Sequence, residues 1–217
     1  MKIALDHDST LAATGVVAFD LIGDDAVGLT YDDVESWEWG LETFGAARYL
    51  SGMWHAWTLR PLEVPLMDET VVETVKKLAE DHEIHIVTSQ PDHMGVAEGK
   101  EEWLEFHGIP YEKFVVVGPD TTKAFLDYDV YIDDKPYLPD RVNKWNSDAL
   151  VFVRDHRYNR DATGEYVRIH KLAEVLPHLV DDEEIEIELT TQEWIDRDVR
   201  ENAELYQALA DDGNGEL

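Results

Sequence analysis

The chain contains no cysteine, which removes thiol catalysis, disulfides and cysteine-ligated zinc from consideration. Basic residues are scarce, 18 Lys and Arg against 48 Asp and Glu, for a formal charge of -30. Non-specific affinity for duplex nucleic acid comes from Lys and Arg neutralising phosphates, so such a partner is excluded, and an anionic membrane surface with it. No stretch approaches the ~20 apolar residues of a membrane span. The sequence enters a strand-like run at residue 2, which leaves no room for a signal peptide, and a cytoplasmic protein is expected.

Aromatics are not lacking. Acidic disordered proteins are poor in them, whereas this chain of 217 residues is 44% hydrophobic and carries seven Trp. It therefore reads as a folded core under an acidic coat. The coat is similar to that of proteins from salt-loving archaea. At ~1 M salt the screening length falls to ~3 Å, so such a surface would hardly repel an anionic substrate.

The run Lys2-Ile3-Ala4-Leu5 breaks abruptly into Asp6-His7-Asp8-Ser9-Thr10. A short apolar run of this kind reads as a buried parallel strand, and in open α/β sheets ligands bind beyond the carboxyl ends of the strands. Two acids two residues apart can divide a displacement, one attacking while the other carries a proton. Four further runs repeat the pattern: Ile84-His85-Ile86-Val87 before Thr88-Ser89-Gln90-Pro91, Phe114 to Val117, Asp129 to Ile132 before Asp133-Asp134-Lys135-Pro136, and Ala149 to Val153. His85 alternates within its strand and reads as a packing histidine, and His7 is assigned no role. Helical spacing joins Val71, Val75, Leu78 and Ala79, predicting a helix over 69–81 with Asp68 as N-cap. Val96, Lys100, Trp103, Leu104 and His107 share a second helical register that Gly108 ends.

Strands alternating with helices predict an α/β fold with a doubly wound, parallel, five-stranded sheet whose carboxyl ends share one rim. Residues 12–66 lack strand periodicity and read as a small helical cap inserted after the first strand, with two short helices between Glu35 and Trp57 joined near Gly45 or Gly52. The core then comprises residues 1–11 and 67–180. Trp54 and Trp57, three apart, share a helix face. They either line an apolar pocket suited to a flat ring or pack the cap's own interior. Residues 181–217 form an acidic extension in which Ile185 to Leu189 alternate like a strand, and Thr190 with Glu193 has capping-box spacing ahead of a helix. An added edge element and an arm that makes a homodimer both remain open for it.

In chain order, the strand-end groups are Asp6 and Asp8, Thr88 and Ser89, Lys123, and Asp133 with Asp134. This order resembles the haloacid dehalogenase superfamily, whose marks are a DxDx(T/V) strand end, a Thr or Ser strand end, a Lys and an acidic pair. A closer likeness is to the cytosolic type C 5′(3′)-deoxyribonucleotidases, carried by Thr88-Ser89-Gln90-Pro91, Ile132-Asp133-Asp134-Lys135-Pro136 and the strand Val151-Phe152-Val153 followed by Tyr158-Asn159-Arg160. The chain departs from that pattern where Ser9 stands for the usual Gly and where Gln90 is inserted before Pro91.

The resemblance implies a phosphatase that hydrolyses phosphomonoesters with Mg²⁺, through an aspartyl-phosphate intermediate. Asp6 would be the nucleophile and Asp8 the acid and base. Mg²⁺ would be held by Asp6, by the backbone carbonyl of Asp8, and by Asp133 or Asp134. Thr88, Ser89 and Lys123 would bind the phosphoryl oxygens. In that family cap aromatics stack on the base, a part open to Trp54 and Trp57. The implied substrate is a nucleoside monophosphate. A sugar phosphate or phosphoserine keeps the same chemistry, and a non-catalytic binding protein on the same scaffold is the reading from another class.

Overall fold

The computed structural model describes residues 1–90, 95–118 and 122–180. Its centre is a parallel sheet of β1 (Lys2–Leu5), β2 (Glu83–Ser89), β3 (Lys113–Val117), β4 (Val130–Asp133), β5 (Leu150–Arg154) and β6 (Val167–Ile169), in the order β3-β2-β1-β4-β5-β6. The sheet has six strands where the sequence predicts five. The extra one is β6, three residues that include Arg168 and pair in register with Phe152 to Arg154. A run this short, with a charge at its middle, has no apolar signature of its own and exists as a strand because β5 offers it an edge.

Ile3, Leu5, Ile84, Ile86, Val130 and Ile132 are fully buried, as expected of strands covered on both faces. Alternation sends Ala4, Val87, Tyr131, Val151 and Val153 to the opposite face, where they pack with Leu138 and Val142 of α6 (Leu138–Trp145). In this strand order the winding reverses between β1 and β4, and the reversal opens a crevice at their carboxyl ends. The Asp6 amide donates to the Ile132 carbonyl at 2.9 Å, so the acidic ends of these two strands are fixed side by side.

Between β1 and α4 (Val71–Asp81) lie α1 (Thr14–Ile22), α2 (Trp39–Phe44) and α3 (Ala46–Leu59). The α2–α3 junction is Gly45, with φ of 77°. Sequence periodicity does not disclose α1. Its N-terminus has no side-chain cap, and its buried residues Val17, Ala18, Phe19 and Ile22 spread over most of its circumference, leaving a narrow exposed stripe at Val16 and Asp20. Asp68 does not cap α4. Its carboxylate takes the Thr70 amide at 2.7 Å and the Arg154 guanidinium at 2.6 Å, and the helix begins at Val71. The predicted second helix is α5 (Val96–His107), ended by left-handed Gly108.

Helices α3 and α5 touch through Gly99. A Cβ there would sit 1.9 Å from the Trp57 carbonyl oxygen, a backbone atom that cannot turn aside. Gly99→Ala is therefore expected to destabilise the fold by about 2 kcal/mol or more, read as a fall in denaturation midpoint without a change in slope. An unchanged midpoint would mean the helices are not in close contact.

Met1–Leu179 form one unit. The strand and helix expected within 181–217 lie outside the described residues. Among those described, no helix is long and apolar enough to cross a membrane.

Candidate active site

The turn after β1 is built around Ser9, the one non-glycine residue with positive φ among the described residues, at 59°. That conformation costs a side chain roughly 1–2 kcal/mol, which is why a glycine is the usual occupant. Here hydrogen bonds hold it: the Ser9 amide donates to the Ala12 carbonyl at 2.8 Å, and the Leu11 and Ala12 amides donate to the His7 carbonyl at 3.0 Å. The His156 Nε2–H donates to the Ser9 carbonyl at 2.7 Å. The tight turn leaves Asp6 and Asp8 in two different environments.

Asp6 joins Asp133 and Asp134 in a buried cluster in which one carboxylate oxygen from each lies within 4.8 Å of the others. The Lys123 ammonium donates to Asp6 Oδ1 and, at 2.6 Å, to Asp133 Oδ2. The Lys135 amide donates to Asp133 Oδ1 at 2.9 Å, and the Tyr158 hydroxyl to Asp134 Oδ2 at 2.5 Å. Among the described residues no hydrogen bond reaches Asp6 Oδ2 or Asp134 Oδ1.

Three acids thus share one buried ammonium, and the electrostatics follow. Burial raises the pKa of Asp6, against the pull of Lys123. Burial and the neighbouring Asp6 and Asp133 carboxylates push Asp134 well up. Burial also works against charge on Asp133, but Lys123 and Lys135 outweigh it and its pKa falls. At Lys123 burial is likewise overcome, by Asp133 and Asp6, and its pKa rises. A surplus of buried negative charge on hard oxygen donors fits a divalent cation such as Mg²⁺.

Asp8 turns the other way. Its Oδ1 accepts from Thr14 Oγ1 at 2.7 Å and the Trp57 indole N–H at 2.9 Å, and its Oδ2 accepts from Lys100 Nζ at 2.5 Å. Burial would raise its pKa, but Lys100, helped by these hydrogen bonds, outweighs burial and holds it well below the usual carboxylate range. A general acid at this position is expected to have a raised pKa, and the free protein has the opposite. The Asp8 side chain also stands outside the acidic cluster.

The predicted hydroxyl pair divides. Thr88 is fully buried and accepts from Lys100 Nζ at 2.8 Å, whereas Ser89 lines the cavity with an Oγ that has no partner among the described residues. The two tryptophans divide as well: Trp57 is buried with its indole on Asp8, and half-buried Trp54 lines the cavity. His85 bonds the Tyr128 hydroxyl at 2.9 Å inside the core. His7 is buried edge-on to Trp57 and Trp103, and burial lowers its pKa to about 3.

Lys100 and Tyr158 are absent from the sequence-predicted site. Lys100 did leave a signal, because a lysine on the buried stripe of α5 between Val96 and Leu104 needs a buried anion. Asp6, Asp8, Ser89, Lys100, Asp134 and Tyr158 line a cavity of about 380 Å³, whose walls also include Phe19, Trp37, Tyr49, Leu50, Trp54 and Tyr137.

Comparison with known proteins adds three findings. The model of the family described as "5' nucleotidase, deoxy (Pyrimidine), cytosolic type C protein" matches residues 20–182. The Oceanobacillus iheyensis protein named Putative nucleotidase OB0422 is 35% identical over 97 residues, which are 42% of this chain and 50% of that protein, so the match spans half the length of that curated relative. A crystal structure of a haloacid dehalogenase-like family hydrolase from Xanthomonas campestris superposes with a TM-score of 0.47 at 15% identity, covering 82% of this chain and 95% of that one.

Proposed function

The chain belongs to the cytosolic type C 5′-deoxynucleotidase family, whose model spans residues 20–182, and from that premise we propose that it is a phosphatase of nucleoside monophosphates. The family match begins after β1, so it covers Lys123, Asp133 and Asp134 but not Asp6 and Asp8, whose roles rest on their geometry. The observation that carries the reading is Lys123 bridging Asp6 and Asp133 beside Asp134, with Asp6 and Asp134 lining an aromatic-walled cavity.

A phosphate monoester is a dianion and repels a carboxylate nucleophile, so attack requires positive charge at the site. Lys123 supplies one fixed charge, and its bond to Asp6 Oδ1 leaves Oδ2 to approach phosphorus or a cation. Asp6 and Asp134, through the oxygens that accept no hydrogen bond, would hold Mg²⁺. When bound, the ion neutralises phosphoryl oxygens as a Lewis acid.

In the first half-reaction an Asp6 oxygen forms a bond to phosphorus as the ester P–O bond breaks, giving an aspartyl phosphate and an alcohol. Asp8 supplies the proton to the departing oxygen. It is ionised in the free protein, and the negative charge of the bound phosphate raises its proton affinity. In the second half Asp8 takes a proton from water, the water oxygen attacks phosphorus, and Asp6 is regenerated with release of phosphate. Ser89, whose Oγ has no partner among the described residues, donates to a phosphoryl oxygen, while Thr88 serves by fixing Lys100. The helices between Thr14 and Glu63 act as the cap, whose Trp54 and Trp37 receive the base together with Tyr137 at the start of α6. Trp57 contributes through Asp8.

Phosphate release from deoxynucleoside 5′-monophosphates in concentrated KCl is expected to vanish with EDTA and return with Mg²⁺. A panel including a sugar phosphate and phosphoserine is expected to favour the nucleotides by about tenfold or more in kcat/KM, since stacking on aromatics is worth ~1–3 kcal/mol per base. Activity that survives chelation contradicts the metal reading, and equal rates on phosphoserine contradict the nucleotide assignment.

A further inference from the structure

We propose that Tyr158 selects the cation at this site, by occupying one oxygen of Asp134 so that the carboxylate offers a metal a single ligand atom. The inference rests on the reading above that the acidic cluster holds a divalent cation.

The Tyr158 hydroxyl lies 2.5 Å from Asp134 Oδ2 and its ring is buried. The ring is fixed from behind: it stacks on His156 at 4.8 Å and 9°, and the His156 Nε2–H is anchored on the Ser9 carbonyl at 2.7 Å. The next residue holds the other end of the same aspartate, because Asn159 Nδ2 donates to the Asp134 carbonyl at 2.8 Å and to the Arg154 carbonyl at 2.7 Å. Asn159 Oδ1 in turn accepts from the His156 amide at 3.0 Å and Arg168 at 2.9 Å. Asp134 therefore cannot turn to present both oxygens while Tyr158 is in place. The rest of the cluster is equally restricted, since Asp133 has a donor on each oxygen and Asp6 has Lys123 on Oδ1.

The cluster thus offers two separate oxygens in place of six. Mg²⁺ suits that supply: it needs octahedral geometry at ~2.0–2.1 Å, uses one or two carboxylates and keeps waters. Ca²⁺ takes ~6–8 oxygens at ~2.3–2.6 Å and gains from bidentate carboxylates, which the tyrosine prevents. Partners of this kind behind a metal ligand typically change metal affinity ~10–100-fold when removed. Packing alone would need only the ring.

The test is calorimetric titration of the metal-free full-length protein with Mg²⁺ and with Ca²⁺, for wild type and Tyr158→Phe, which keeps the ring and its stack on His156. Wild type is expected to prefer Mg²⁺, and Tyr158→Phe to move the ratio of affinities toward Ca²⁺ by about tenfold. An unmoved ratio in a variant that melts like wild type overturns the proposal. Should the variant not fold, wild type alone decides, because equal or tighter binding of Ca²⁺ than of Mg²⁺ overturns it and a clear Mg²⁺ preference supports it. Binding of neither ion removes the metal reading and this proposal with it, whereas binding with an unmoved ratio removes only this one.

Discussion

Replacing Asp6 by Asn is expected to lower kcat for phosphate release at least about 10³-fold, while leaving the melting temperature the same or higher. The amide nearly matches the carboxylate in shape, so the contact with Lys123 persists and Lys123 keeps its bond to Asp133 at 2.6 Å. What disappears is a buried charge that the fold holds at a cost, as the raised pKa of Asp6 records, with burial the main cause and Asp133 and Asp8 adding repulsion. The amide cannot attack phosphorus, and it offers a cation a neutral oxygen. Loss of activity with retained stability separates a nucleophile from a structural acid, which would lose both. More than about 1% residual kcat, in protein shown free of wild type, would mean that phosphorus is attacked by another group, such as water. Rapid-quench detection of an acid-stable phosphoryl enzyme in wild type but not in the variant is the complementary measurement.

The strand-end acids are legible in the sequence for a physical reason. A buried strand must be apolar, so the point where Leu5 gives way to Asp6, or Ile132 to Asp133, the last residue of β4, marks the rim of the sheet. Parallel winding then obliges those ends to meet, and the structure brings Asp6, Lys123, Asp133 and Asp134 together. Partner choice is not legible in this way. That Trp57 gives its indole N–H to Asp8 depends on α3 crossing α5 at Gly99, a contact between residues 42 positions apart in the chain. The same crossing sets Lys100 beside Asp8. The division of Thr88 from Ser89 depends on which face of β2 meets α5, and neighbouring residues with equal chemistry cannot announce that. Helix α1 lacks a clean apolar stripe because buried residues take up most of its circumference, with Val16 and Asp20 exposed, and β6 owes its strand to a neighbour.

Lys100→Met should be the most informative change at Asp8, with kcat at neutral pH falling about 10²-fold and the acid limb of the pH profile moving to higher pH. The methionine keeps most of the stem in its buried position but removes the ammonium that lies 2.5 Å from Asp8 Oδ2 and 2.8 Å from Thr88 Oγ1. Burial, the largest influence on Asp8, raises its pKa, and Lys100 is the main charge that overcomes it. Without Lys100 that balance moves upward. A base works only when ionised, so the proton Asp8 must take from water is accepted over a range that now begins at higher pH, and activity at acid pH is lost first. The change also breaks a largely buried ion pair, so a lower melting temperature is expected and rates are to be referred to folded protein. A lysine that served only to pack α5 would lower stability without moving the pH profile. The decisive measurement is the double variant with Asp8→Asn: if Lys100 acts through Asp8, adding Lys100→Met to Asp8→Asn should change kcat by less than about threefold, since residues acting as one unit are not additive. A full further 10²-fold loss in the double variant would show that the ammonium meets the phosphate directly, and would move Lys100 from positioning Asp8 to binding substrate.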